Sequence, residues 1–336
     1  MRRKLKVLVA IDTNFEPGPA YDYRQHFEEA DWETTRDVVG ALERLGHEVR
    51  IVGVSHDLLP AIQLLRADPP DAVFNLVESI DGSRTHEQSF AGLLEMLGVR
   101  YTGAASSTLA LCKNKGVAKK ILAYHRIRVP RFVVSHKHRP LKRLGRFGYP
   151  AFVKPLSQES SAGISRKSLV TNEEDCLERV RFIHDRQGED ALVEEFVDGR
   201  EFYVGVAGVN RITAFPAREL FFDHVPEGTP AFATYKAKWD DEYRKRWGIH
   251  NGPAAELPEK VTRTLYAICR KAALVLQIRG YGRIDVRLTR DAEVVVIEAN
   301  PNPSLAADED FAQAAAAAGV AYDQLVQRIL DWGMGQ

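Results

Sequence analysis

Two stretches near the C-terminal end hold the densest chemistry in the chain, Arg283-Ile284-Asp285-Val286-Arg287-Leu288 and Glu293-Val294-Val295-Val296-Ile297-Glu298-Ala299-Asn300. Both read as strands. Alternation puts Arg283, Asp285 and Arg287 on one face and Ile284, Val286 and Leu288 on the other, while Glu298 and Asn300 share a face. If Asp291-Ala292 form a two-residue turn, counting outward pairs Arg290 with Glu293 and Asp285 with Glu298. Two carboxylates opposed on one face repel unless something positive lies between them. Asp285, Glu298 and Asn300 offer hard oxygens that suit Mg²⁺ or Mn²⁺, completed by water and nucleotide phosphate oxygens. The plain alternative is an exposed hairpin whose charges face water, and the pattern alone leaves that choice open.

A second constellation is Tyr149-Pro150-Ala151-Phe152-Val153-Lys154-Pro155 followed by Ser160-Ser161-Ala162-Gly163-Ile164-Ser165. A lysine ending an apolar strand beside a loop of small residues and hydroxyls can form a phosphate cradle; standing alone, the segment reads better as a snorkelling lysine and an ordinary turn. The third is Leu192-Val193-Glu194-Glu195-Phe196-Val197-Asp198-Gly199-Arg200-Glu201, where a strand entering a short connection can offer backbone groups to an adenine edge. Acidic residues beside a turn are more often simply solvated.

These groups need elements to hold them. An apolar run at 6–11, a helical pattern through Trp32, Val38, Val39, Leu42 and Leu45, a strand at 47–52 and another at 71–77 give a parallel strand-helix-strand unit. Helices are expected at 86–97, 115–124, 173–186, 259–276 and 322–332, with an alanine-rich helical stretch at 311–318. Residues 221–252 lack periodicity and are expected as a long functional loop. The division expected is an N-terminal parallel α/β lobe over 1–111, a small α+β lobe over 112–197 and a C-terminal α+β lobe over 198–336.

Composition narrows the partners. In 336 residues, Lys+Arg and Asp+Glu both number 46, so no net field draws nucleic acid or an anionic membrane. No run approaches the ~20 apolar residues of a membrane span, and Asp12 interrupts the run after Met1-Arg2-Arg3-Lys4 too early for a signal peptide. Cys112, Cys176 and Cys269 are odd in number and far apart, which argues against a disulfide framework and points to the cytoplasm.

In order and spacing the constellations resemble the ATP-grasp fold, and within it the D-alanine:D-alanine ligase family. The resemblance is carried by Asn114-Lys115, Val153-Lys154-Pro155, Ser160-Ser161-Ala162-Gly163, residues 194–197, Gly282-Arg283-Ile284-Asp285-Val286 and Glu298-Ala299-Asn300, across about residue 71 to the C-terminus. It implies three lobes clasping ATP and a ligase that makes an acyl phosphate and transfers it to an amine. Lys115, Lys154 and Lys238 would hold phosphates, with Ser161 in the cradle. Glu194, the backbone of Glu195 and Val197, and Glu201 would receive adenine and ribose. Asp285, Glu298 and Asn300 would bind two Mg²⁺ ions, and Arg283, Ser160, Lys238 and Ser304 are the catalytic positions. The partners implied are a small carboxylate and an amine, amino acids above all, and a homodimer is compatible.

The sequence departs from the family at the amino-acid half. Ile11 leads into Asp12-Thr13-Asn14-Phe15-Glu16-Pro17 where the family has a glycine-rich turn with a glutamate for the first amino group. Trp239 stands where a substrate-contacting tyrosine is usual, Ser304 replaces a glycine, and Glu309 replaces a serine that holds a carboxylate. The expectation is therefore a different acid, a different amine, or both. Weighed against it are strict D-alanine dipeptide synthesis, a catalytically silent ATP-binding module, and carboxylation of a cofactor, for which no bicarbonate site is recognisable.

Overall fold

The computed structural model describes residues 3–18, 21–158, 161–226 and 230–335. The first sheet is built from β1 (Lys6–Asp12), α1 (Glu33–Arg44), β2 (Glu48–Val54), α2 (Leu59–Ala67) and β3 (Ala72–Asn75), in the order β2-β1-β3, all parallel. β1 has no solvent face. Val7, Val9 and Ile11 pack with α1 and the C-terminal helix, while Leu8 and Ala10 pack with Phe90 and Leu94. That double burial explains a strand that is apolar without alternation. α3 (Glu87–Met96) and α4 (Ser106–Lys113) follow, and residue 111 lies inside α4.

After α5 (Lys115–Tyr124) comes an antiparallel sheet of β4 (Phe132–Ser135), β5 (Ala151–Pro155), β6 (Leu169–Val170) and β7 (Ala191–Glu195), in the order β4-β7-β5-β6. It is backed by α6 (Glu173–Phe182). The Asn172 side chain accepts from the Asp175 N–H to start α6, and Glu173, Glu174 and Asp175 suit the positive end of its dipole.

The third sheet holds β8 (Arg200–Gly208), β9 (Thr213–Ala214), β10 (Arg218–Phe222), β11 (Ile249–Pro253), β12 (Gly280–Leu288) and β13 (Val294–Pro301). Its order is β11-β10-β8-β12-β13, with β9 paired to β8. Between β10 and β11 the segment expected as a loop carries α7 (Tyr235–Trp239) and α8 (Asp241–Trp247) instead. Thr234 caps the first through the Ala237 N–H and Asp240 the second through the Tyr243 N–H. Helices of five and seven residues are too short to print an apolar period, which is why the stretch reads as irregular. α9 (Glu259–Val275) covers the apolar face of β8, β12 and β13. α10 (Asp310–Ala317) and α11 (Tyr322–Met334) return the chain to the first sheet, where Arg44 grips Asp323 through two bonds of 2.7 and 3.1 Å.

The β12–β13 hairpin corrects one expectation. The turn is not the two residues Asp291-Ala292: Thr289 N–H bonds Glu293 O, and Leu288 pairs with Val294, so the register starts one residue off the expected count. A bulge then adds Ile297 to β13, and beyond it Asp285 opposes Glu298 after all. Without that extra residue Glu298 would turn to the apolar face beside Ile284.

Gly199 connects the second and third sheets at φ +147°, and a Cβ there would lie 2.1 Å from Leu288 O at the end of β12. Gly199→Ala should therefore lower stability by more than ~1 kcal/mol in urea unfolding, by strain rather than lost contact; an unchanged midpoint would contradict this reading of the junction.

Candidate active site

The second and third sheets meet along a cleft floored by charged side chains. Phe152 and Lys154 point into it from β5, and Glu194 and Glu195 from β7. Glu201, Tyr203, Asp285, Arg287 and Glu298 face them from the third sheet, and Lys238 of α7 and Ser161 complete the wall. Of the residues singled out in the sequence, Lys154, Ser161, Glu194, Glu195, Val197, Glu201, Lys238, Asp285 and Glu298 thus line one cavity. Lys115 reaches it through Glu298, and Arg283 and Asn300 through Asp285. Ser304 does not join them and faces a separate cavity, with its hydroxyl 3.3 Å from that of Thr34. Ser160 lies outside the described residues.

Lysines and carboxylates neutralise one another inside the cleft. Lys154 Nζ is 2.7 Å from Glu194 Oε1, and Lys119 Nζ 3.1 Å from Glu194 Oε2, all three side chains being at least 96% buried. Lys115 sits 3.0 Å from Glu298 and also donates to the Gln158 carbonyl. Burial pulls the Lys119 pKa down to about 8, more than Glu194 can restore, with Lys154 adding to the fall. For Lys154 burial acts in the same sense, but Glu194 and Glu298 outweigh it and hold its pKa above the ordinary value. Glu298 is opposed by burial yet drawn down to about 2 by Lys115 and Lys154.

Asp285 has the opposite balance. Arg283 holds it by two bonds, Nε to Oδ1 at 2.7 Å and Nη2 to Oδ2 at 3.0 Å, and Asn300 donates to Oδ2 at 3.0 Å. Burial, with the Glu298 charge adding, still leaves its pKa raised. The repulsion expected from the sequence is therefore answered by the chain itself, each carboxylate carrying its own cation. Even so the donor set fits a divalent ion: Asp285 and Glu298 are in register, all the groups are hard oxygens, and the raised Asp285 value marks a place where more positive charge would be favourable. Among the described residues no three His, Cys, Asp or Glu side chains group as a metal site, so Asn300 is needed to complete it.

The expected adenine end is walled by Phe152, Phe196 and Phe232, whose ring centroids are 5.0 to 6.4 Å apart. The Glu195 N–H is already given to Arg131 O, and its carboxylate is held by Arg128 and Arg131. Glu201 is taken by Arg287 at 2.5 Å and by the Tyr203 hydroxyl at 2.9 Å, and Val197 O accepts from Arg287 at 3.2 Å. On the other wall, burial and the nearby Arg283 hold the Lys238 pKa below its usual value.

Sequence reasoning missed Lys119, Phe152, Phe232 and Arg287 as parts of this site. Three of them left a signal: Lys119 follows Lys115 by four residues on one helix face, Phe152 precedes Lys154 by two on one strand face, and Arg287 follows Asp285 by two on another. Lys119 has a second task, since its Nζ also donates to Ile297 O at 2.6 Å, the carbonyl of the bulge that re-aims Glu298.

Residues 111–331 match the family model described as D-ala D-ala ligase C-terminus. Over 307 residues the chain is 30% identical to the uncharacterized protein y4sG of Sinorhizobium fredii, covering 88% of this chain and 85% of that one. It is 29% identical over 295 residues to a D-alanine–D-alanine ligase of Gluconobacter oxydans, with 88% and 89% covered. The fold is shared with the crystal structure of a D-alanine–D-alanine ligase from Bacillus anthracis complexed with ATP, at a TM-score of 0.75 and 18% identity, covering 98% of each chain.

The charge network makes a stability prediction. Glu194→Gln leaves two buried lysines without their shared anion and should cost ~3–5 kcal/mol, whereas Lys119→Met leaves a one-to-one Lys154–Glu194 pair and should cost far less. Urea unfolding of the two variants checks the order, and a Lys119→Met loss as large as that of Glu194→Gln would contradict the network.

Proposed function

The chain belongs to the D-alanine–D-alanine ligase family of ATP-grasp, ADP-forming ligases that make carbon–nitrogen bonds, and on that premise we propose that it activates a carboxylate as an acyl phosphate and joins it to an amine, with a substrate pair other than two D-alanines. The observation that carries the first part is the set of buried lysines and carboxylates converging on one cleft from two sheets and helix α5. What supports the second is the rebuilt amino-acid half. Glu309, whose pKa is raised by burial and by Asp310, stands where the family resemblance calls for a serine that receives a carboxylate. A glutamate there offers no hydroxyl donor to a carboxylate, and in its ionised form it repels one.

In this reading Lys154 and Lys115 exchange their carboxylate partners for phosphate oxygens, Lys238 joins them from α7, and Ser161 lies in the cradle. The aromatic wall of Phe152, Phe196 and Phe232 takes the adenine ring, with Glu194, Glu195, Val197 and Glu201 as its polar surround. The substrate carboxylate attacks the γ-phosphorus, ADP leaves, and the amine then displaces phosphate from the acyl carbon. Asp285, Glu298 and Asn300 would hold Mg²⁺ or Mn²⁺, which when bound supplies positive charge to the phosphate oxygens. Arg283 commits two donors to Asp285 and keeps others for the oxyanion formed as the amine attacks, assisted by Ser304 and its backbone N–H. Ser160 joins the catalytic set by resemblance.

The cleft measures about 80 Å³, well below the ~300–1,000 Å³ of ligand pockets, so nucleotide entry requires the lobes or the α7–α8 segment to move. That segment serves as a lid: it carries Lys238 inward and the exposed Trp239 outward, and closure keeps water from the acyl phosphate. D-alanine dipeptide synthesis is the second reading, favoured by the name of the Gluconobacter relative.

ADP release from ATP and Mg²⁺ over a panel of carboxylates and amines tests the proposal, with hydroxylamine added to trap the acyl phosphate as a hydroxamate. Asp285→Asn and Glu298→Gln should lower turnover at least ~10³-fold with the fold kept, since each loses an anionic metal ligand. Wild-type turnover in either variant would remove the metal assignment.

A further inference from the structure

Beyond the charged cleft, a cavity of about 530 Å³ lies between the first sheet and the 302–305 turn, bordered by Ser304. Four residue steps, roughly 13 Å if extended, lead from Glu298 in the cleft to Asn302 in this cavity. Its acidic groups are Asp12, Glu29, Asp31, Glu78 and Glu87, and among its described lining residues no lysine or arginine answers them. Some are neutralised from outside, Glu78 by Arg84 at 3.1 Å and Glu87 by Lys113 at 2.9 Å. Glu29 faces His26 at 2.7 Å. Asp12 is held only by neutral donors, the Glu78 N–H and the Ser79 hydroxyl, and neither it nor the exposed Asp31 has a lysine or arginine ion pair among the described residues. A concave wall with uncompensated carboxylates concentrates cations.

The floor carries an independent sign of a ligand. Asn75 is 2% exposed and lines the cavity, and its Nδ2 has no hydrogen-bond partner, although its Oδ1 accepts from the Val77 N–H and its own N–H bonds Thr102. A buried donor left unpaired costs ~1–3 kcal/mol, so such a group is expected to meet an acceptor that arrives with a ligand. Size points the same way. The about six heavy atoms of alanine, at a generous ~30 Å³ each, fill ~180 Å³, about a third of this space.

We propose that this cavity selects a basic amino acid as one of the two substrates, its cationic side chain at the acidic rim of Asp12 and Asp31 and an oxygen acceptor on Asn75 Nδ2. The inference rests on the ligase reading and names its substrate class, but its test does not need turnover. Calorimetry on the full chain without nucleotide compares lysine and ornithine, each as both enantiomers, with norleucine and D-alanine. One enantiomer of a basic amino acid should bind at least tenfold tighter than norleucine. Asp31→Asn, an exposed change that leaves folding alone, should cut that preference severalfold, and Asn75→Leu should weaken lysine and norleucine alike. Norleucine or D-alanine binding as tightly as lysine, no basic amino acid binding at several millimolar, or a preference unmoved by Asp31→Asn would overturn the proposal. If lysine binds as expected while no substrate pair releases ADP, the ligase reading fails and the cavity assignment stands. ADP release with D-alanine alone, and no lysine binding, is the reverse.

Discussion

Three lysines and two glutamates must share a nearly dry cleft, and the rest of the site depends on how they do so. An isolated ammonium or carboxylate would cost several kcal/mol at such depth. Here Glu194 serves Lys119 and Lys154 while Glu298 serves Lys115. The arrangement keeps Lys154 charged, since the two glutamates outweigh its burial. On the proposed function, a polyphosphate entering the cleft would offer the lysines anionic oxygens of the kind they already hold, while Glu194 and Glu298, released from them, would need new positive or donor partners.

Backbone geometry is subordinate to that exchange. The bulge at Ile297 is what puts Glu298 opposite Asp285, and Lys119 holds the bulge carbonyl while its other contact is Glu194. One side chain of α5 therefore ties the second sheet to the third at the point where β13, which carries Glu298, changes register. The apolar face of the same hairpin, with Ile284, Val286 and Val296 fully buried, fixes the opposite side against α9. The polar face is thereby left no freedom to rotate away.

Much of this was legible in the sequence because strand alternation is a strong local rule. Arg283, Asp285 and Arg287 do share the polar face of β12, and the unbroken apolar run of β1 does belong to a parallel sheet buried on both sides. The Asp285–Glu298 pairing was reached by a count that assumed the wrong turn, and a bulge the sequence does not announce restored it. Partners separated by long loops were not legible. Nothing local indicates that Lys119 meets a glutamate 75 residues away, or that Arg287 closes on Glu201. The short helices α7 and α8 were missed because their caps, Thr234 and Asp240, are single residues in a stretch with no apolar period.

The most direct measurement is the affinity of the full chain for Mg²⁺-ATP and for adenosine, taken side by side by calorimetry. If the lysines exchange glutamate for phosphate, ATP should bind at least ~100-fold more tightly than adenosine, a difference of about 2.7 kcal/mol carried by the phosphates. Equal affinities would mean that the lysine–glutamate pairs never open to a nucleotide, and the site would be a structural ion network rather than a phosphate cradle.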